Sequence, residues 1–374
     1  ELVIPQSMKA AIGNRLDRVS PTCNEVLRSA AVLGKTFDFD ELLAAAEDRG
    51  EDPLLDALDE AVAAQLLVAE RDESFAFTHD KIREVLYEEL NPIRRRRLHR
   101  RTAEGLLRLR ERAPVAVETL AHHFIEAGDY EPGIEYAREA AAEAEGLFAY
   151  DEAIAAYERA RECAETLGLP AEEAVLEEAM GRASMLGGET IAACEHFEKA
   201  LALVSDPGHR ARLHSQAASS YVATGDPKGL EYVAKALGVL DPDTDPVETA
   251  NALSIEARFH HLSGRHRKAI EILKRAVSMA APPPGTTEIT PLRASTLSRI
   301  YAFLSGAHQH LGLFADADRW AREAIAFGET YGVPFAEAYG YEFLGEDAVS
   351  RGTWEEGLEY AAREREIAKR HRSR

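Results

Sequence analysis

Cysteine is nearly absent from this 374-residue chain: Cys23, Cys163 and Cys194 stand far apart, with no CxxC pair. That spacing excludes a disulfide framework and a zinc knuckle, and the three read as small buried residues of a reduced, intracellular protein. Long apolar runs are missing too. No stretch approaches the ~20 residues that a membrane span needs, so no contact with a membrane is expected. Positive charge is in deficit, with 44 Lys+Arg against 65 Asp+Glu and a net charge of −21. A mean field of that sign repels phosphate, so any nucleic-acid contact would need a local basic patch. Catalytic signatures are lacking: there is no GxSxG, no HExxH, no Cys/His nucleophile arrangement and no glycine-rich phosphate loop. Gly34-Lys35-Thr36 only mimics the end of a P-loop. The motif GxxxxGK[ST] would place its first Gly where Ser29 stands, and no buried strand precedes it. The triplet is expected at the end of a helix. The chain opens Glu1-Leu2-Val3-Ile4-Pro5, without an initiator Met or a signal pattern; it is expected to be a cytoplasmic piece of a longer polypeptide.

Helical periodicity dominates what is present. Leu54, Leu55, Leu58, Val62, Leu66 and Leu67 follow the i, i+3/i+4, i+7 spacing of a helix stripe. One β signal follows, in which Leu66–Glu70 and Ser74–Thr78 flank the polar turn Arg71-Asp72-Glu73. A helix then begins near His79, with Ile82, Val85, Leu86 and Leu90 on one face. Ahead of the hairpin, helices are expected around 5–17, 22–33, 38–48 and 53–65. Helices, a two-stranded wing and a further helix make a winged-helix pattern ending near residue 112.

From about residue 115 the sequence repeats itself. A Gly that ends one helix is followed five residues later by a small residue inside the next: Gly128/Gly133, Gly188/Ala193, Gly264/Ala269, Gly312/Ala317 and Gly352/Gly357. Gly225/Gly229 is one residue shorter. Four further on come Phe197, Val233, Leu273, Ala321 and Ala361, and three beyond those Ala200, Ala236, Ala276 and Ala324. Glycine takes the left-handed backbone of a helix C-terminus without a Cβ penalty. Small residues seven apart let two antiparallel helices approach, and the residue between them plugs the groove. A hairpin cannot bury its apolar face alone, so neighbours stack into a solenoid. The turns from Gly188 to Gly352 lie 37, 39, 48 and 40 residues apart, the longest gap holding Pro282-Pro283-Pro284-Gly285, a loop between hairpins.

These repeats resemble tetratricopeptide repeats over about two-thirds of the chain, with a longer and less regular period than the usual ~34 residues. The resemblance implies an all-α fold, a right-handed α-α superhelix of hairpins over residues 113–374. Residues 1–112 carry a second resemblance. Ile12–Asp17, Ala30–Phe37 and Phe75–Tyr87, followed by the Arg94–Arg101 run with Leu98-His99, resemble the winged-helix segment after the nucleotide-binding domain of STAND-type signalling ATPases. Those include MalT-like and LuxR-type regulators and adenylate-cyclase-associated ATPases. The resemblance implies a small winged-helix domain with one short β-hairpin, and a missing upstream ATPase that would bind ATP or ADP in the parent protein. No cofactor is expected in this segment itself.

Thr78-His79-Asp80 stands where the related ATPases carry Met-His-Asp. The resemblance implies that His79, with Asp80, contacts the β-phosphate of ADP in the resting state; a helix start suits an anion. The competing reading has Asp80 capping the helix and His79 packing on the wing. The run Arg94, Arg95, Arg96, Arg97, Arg100 and Arg101 spreads around all faces of a helix, and pairing with acidic neighbours explains it better than DNA does. Thirteen histidines include His122-His123, His260-His261 and His308-x-His310, none with the i, i+4 spacing of a helical metal pair. They are expected at surface and groove positions, and no metal site is expected.

In repeats of this kind, positions about six and three residues before the turn Gly line the concave face. Counting back from Gly188, Gly264 and Gly312 gives Arg182, Arg258, His261 and Gln309, with His310 beside it; Arg212 and Arg299 lie two turns further back. An acidic protein thus places a basic strip in its groove, suited to a small anionic effector or an acidic protein segment. The opposing reading is of solvated residues neutralised by nearby Glu. The function expected is a non-catalytic regulatory and interaction segment of a signal-transducing ATPase or transcriptional regulator. The alternative is a winged-helix DNA-binding protein with a repeat scaffold. Against it, residues 53–65 hold no Lys or Arg but do carry Asp56, Asp59 and Glu60.

Overall fold

The computed structural model describes residues 12–46, 49–71 and 73–372. The start of the first expected helix (5–11), the end of the expected helix 38–48 and Asp72 of the expected turn lie outside them. Backbone contacts divide the chain into two compact units, Glu1–Leu176 and Glu177–Arg374. Each is described by itself.

The first unit begins with a helical stretch at 12–16. Next come α1 (Pro21–Leu33), β1 (Thr36–Asp38), α2 (Phe39–Ala45) and α3 (Glu51–Ala63). After these lie β2 (Leu67–Ala69), β3 (Ser74–Phe77) and α4 (Asp80–Glu88). The Ser20 hydroxyl caps α1 by accepting the Cys23 N–H at 3.0 Å, with Pro21 at the first helical position. Leu27, Leu42, Leu54, Leu58, Leu66, Ile82 and Leu86 meet in one core with Phe37 and Phe77. The expected hairpin is present as β2 and β3, but the sheet has a third strand. β1 pairs antiparallel with β3, Phe37 opposite Phe75, giving the order β1-β3-β2. Gly34-Lys35-Thr36 therefore joins a helix to this strand. Phe37 made the strand hard to read in sequence, since one buried residue in three sets no period.

Four helices complete this unit: α5 (Pro92–Leu109), α6 (Val117–Ala127), α7 (Tyr130–Gly146) and α8 (Tyr150–Leu167). Gly105 lets α5 press against α2, where an added Cβ would stand 2.2 Å from the Ala44 carbonyl oxygen. Gly133 brings α7 against α6 in the same way, 2.9 Å from Ile125 Cγ1.

The division between units falls inside α9 (Pro170–Gly187). The second unit continues with α10 (Thr190–Leu203), α11 (Pro207–Ala223), α12 (Lys228–Leu237), α13 (Pro246–Leu262) and α14 (His266–Ala280). It ends with α15 (Pro291–His310), α16 (Phe314–Tyr331), α17 (Pro334–Arg351) and α18 (Trp354–Arg372). Sequential helices pack as antiparallel neighbours, and α13 packs on α15 and α15 on α17, the stacking of a tetratricopeptide superhelix. The spacing rule holds in its physical detail. Ala193 and Ala200, Ala269 and Ala276, and Ala317 and Ala324 are buried, with Phe197 and Leu273 plugging between them. Phe197 fits against Gly181, where a Cβ would come within 2.7 Å of the ring. Ala361 departs from the rule: it lies exposed on α18, the last described helix, uncovered by the described residues. Among the described residues, no helix is long and apolar enough to cross a membrane.

Candidate functional site

The second unit gathers its polar groups along α13, α15 and α17. Arg258 and Arg299 are half-buried, and burial pushes both guanidinium groups below their ordinary range, Arg258 adding its repulsion at Arg299. The Tyr339 hydroxyl is close enough to oppose that shift at both. Arg299 donates to Asn251 Oδ1. Among the described residues no carboxylate pairs with either arginine. One turn along α13 from Arg258 stands His261, and at the end of α15 stands His310.

Two of the sequence-expected groove residues lie on other helices. Arg182 is exposed and ion-paired with Glu178 at 3.0 Å, as the neutralised reading had it. Arg212 is exposed on α11, and Gln309 is half-buried beside His310. In the first unit, His79 and Asp80 are exposed at the start of α4. No side-chain cap hydrogen bond is made there, and Asp80 pairs with Lys35 at 3.0 Å. In the arginine run, Arg100 pairs with Asp129 and Arg95 lies over the Tyr87 ring, 5.3 Å from its centroid.

The histidines need correction most. Surface and groove positions do not account for them, since His99, His123, His214, His260 and His308 are buried. Among the described residues, two groups of three converge. In the first unit, His99 on α5 meets His122 and His123 on α6. His99 Nε2 lies 2.9 Å from the Tyr87 hydroxyl, and its Nδ1 lies 2.9 Å from His123 Nδ1. With both rings held down to about 3 by burial, they are neutral. The Tyr87 hydroxyl also bonds the Glu126 carboxylate, which can only accept, so it donates there and accepts from His99 Nε2–H, and His99 Nδ1 accepts from His123 Nδ1–H. His123 Nε2 is then a buried lone pair without a partner.

In the second unit, the last turn of α13 carries His261, Gly264 turns the chain at φ +73°, and α14 opens on His266. Stacking of α13 on α15 brings His310 to the same place. Ring centroids are 4.9 Å apart for His261–His266, 5.0 Å for His261–His310 and 4.8 Å for His266–His310. His261 is pushed down to about 4, first by burial and then by the other two rings. The sequence search missed both groups because it looked for pairs within one helix. Phasing each histidine against its turn Gly would have found the second, since His261, His266 and His310 all lie within three residues of Gly264 or Gly312.

The chain is thus a tetratricopeptide-like helical-repeat scaffold with a small three-stranded sheet near its start. The sequence matches no protein-family model and no curated protein. Among solved structures it is similar to a signal transduction ATPase with numerous domains (STAND) that carries a tetratricopeptide repeat sensor, from Pyrococcus horikoshii. Identity is 14%, coverage is 99% of this chain and 54% of that one, and the TM-score is 0.49. The chain spans about half the length of that protein. It is also similar to aspartyl phosphate phosphatase F from Bacillus subtilis, at 15% identity over 98% and 96% of the two chains, TM-score 0.45. A Rap protein complexed with competence and sporulation factor matches at 17% identity over 67% and 74%, TM-score 0.45. Likenesses this distant carry no family and no function to the chain.

Proposed function

We propose that this chain is a non-catalytic, cytoplasmic regulatory segment of a STAND-type signalling protein. Residues 1–112 act as its winged-helix part, and residues 113–374 as a solenoid that receives an anionic partner or effector. The observation that carries the reading is the Arg258–Arg299 pair. A chain with 65 acidic residues has carboxylates to spare, yet it leaves two half-buried guanidinium groups near each other without one. Guanidinium groups so placed favour a carboxylate or phosphate from outside, because its charge relieves both their desolvation and their mutual repulsion.

Fluorescence anisotropy of a labelled oligoglutamate peptide tests it directly. Binding is expected to weaken as salt rises, and to be lost in Arg258→Glu with Arg299→Glu, while oligolysine does not bind. Equal binding by the double variant, with unchanged circular dichroism, removes the groove from the proposal. The STAND assignment has its own test in the parent protein. His79→Ala is expected to release bound ADP and raise basal output, and unchanged ADP retention leaves His79 without a nucleotide role.

A further inference from the structure

We propose that His261, His266 and His310 bind a divalent transition-metal ion, zinc in the first instance, at the point where two successive hairpins meet. Each ring offers one nitrogen, and the three ligand atoms lie within 4.8 Å of one another. The His261 and His266 Nδ1 atoms are already 3.2 Å apart. Ligands at about 2.0–2.1 Å from a tetrahedral zinc stand roughly 3.3 Å from each other, so two of the three positions need almost no movement. The remaining adjustment falls on His310, which is exposed at the last position of α15.

The outer contacts fit as well. His310 Nδ1 lies 2.7 Å from the Gly306 carbonyl oxygen. A carbonyl only accepts, so this Nδ1 carries the proton and the Nε2 lone pair is left for a ligand. That arrangement fixes the tautomer of many metal-bound histidines. Phe303 stacks on His261 and holds its plane, centroids 6.4 Å apart. Neutral nitrogen ligands with no carboxylate select zinc, nickel or copper over calcium and magnesium. The fourth position is left to water.

The group at His99, His122 and His123 is the natural control. Two of its rings are buried and their facing nitrogens are committed to the chain from Tyr87. A metal there would have to break that chain.

The test is titration of the tag-free, chelator-treated full chain, with Zn2+ by calorimetry and Co2+ by visible absorption. The expected result is one site of micromolar affinity or better, with the intense visible bands of four-coordinate Co2+. Both His266→Ala and His310→Ala should weaken binding at least about tenfold with unchanged circular dichroism, while His122→Ala leaves it intact. Absence of micromolar binding overturns the proposal. So does binding that survives the double variant His266→Ala with His310→Ala, or that is lost in His122→Ala.

Discussion

Two places in this molecule hold three histidines each, and each has a glycine on one of its helices, yet they are built for different ends. Around His99, two of the three rings are buried and tied into a hydrogen-bonded chain with Tyr87, so they behave as core. Around His261, the rings sit at the ends of helices, part of each faces solvent, and their nitrogens converge on a common point. Residue type and number are the same. What differs is how much water the backbone leaves at the ring.

That contrast can be broken most forcefully at the glycines. Gly105→Ala should cost about 3 kcal/mol or more in denaturant unfolding of the first unit. Its Cβ would meet the Ala44 carbonyl oxygen at 2.2 Å, and backbone cannot give way. Should Gly105→Ala prove neutral, the close crossing of α5 over α2 that buries His99's helix is wrong.

Acid comes next. His99 and His123 stay neutral down to about 3 in the folded chain, whereas an unfolded histidine titrates near 6.5. Between those values the unfolded chain binds more protons, so stability is complete above about pH 6.5 and falls as pH drops toward 3. The slope should approach about 1.4 kcal/mol per pH unit for each histidine. Urea unfolding at pH 7.5, 6 and 5 would show it, and His123→Leu should remove one histidine's share of the slope. A wild-type curve without slope would mean that the buried rings are already charged.

Smaller effects sharpen the comparison. Tyr87→Phe removes the acceptor of His99 Nε2–H and keeps the ring beneath Arg95, so about 1 kcal/mol is expected. Gly306→Ala should cost less than about 1 kcal/mol. Its Cβ would meet only the edge of the Phe343 ring at 3.0 Å, and would stand an ordinary 3.8 Å from His261 Cε1. Calorimetry of that variant should still find the zinc site.

The sequence disclosed what is decided locally. Each turn glycine named in the repeats has a left-handed φ, and the alanines spaced seven apart are buried, because a helix end and a helix crossing are settled by a few adjacent residues. Gly168 and Gly332, which end α8 and α16 with the same backbone, escaped notice because no small residue follows them at the expected distance. Arg258 and Arg299 were legible as groove residues by counting from their turns. Their lack of carboxylate partners was not, since it depends on what packs beside them. Arg182 has the same phase and finds Glu178 four residues away on its own helix. The convergence of the histidines has the same cause: His261 and His310 are brought together by stacking across 49 positions of sequence, and only their common phase against a turn glycine was legible.

The loop between α14 and α15 shows how this architecture can tolerate change. Register within a hairpin is fixed by a turn glycine and the small residues just after it, so nothing in the pairing measures the distance to the next hairpin. The Pro282–Gly285 segment absorbs the extra length of the 48-residue spacing while Ala280 on one side and Ala294 on the other stay buried. Such a junction is an open site for grafting. A peptide tag or a small domain inserted between Pro284 and Gly285 would lengthen a connection the scaffold does not gauge, and over evolutionary time the same permissiveness lets repeats of unequal length share one stack.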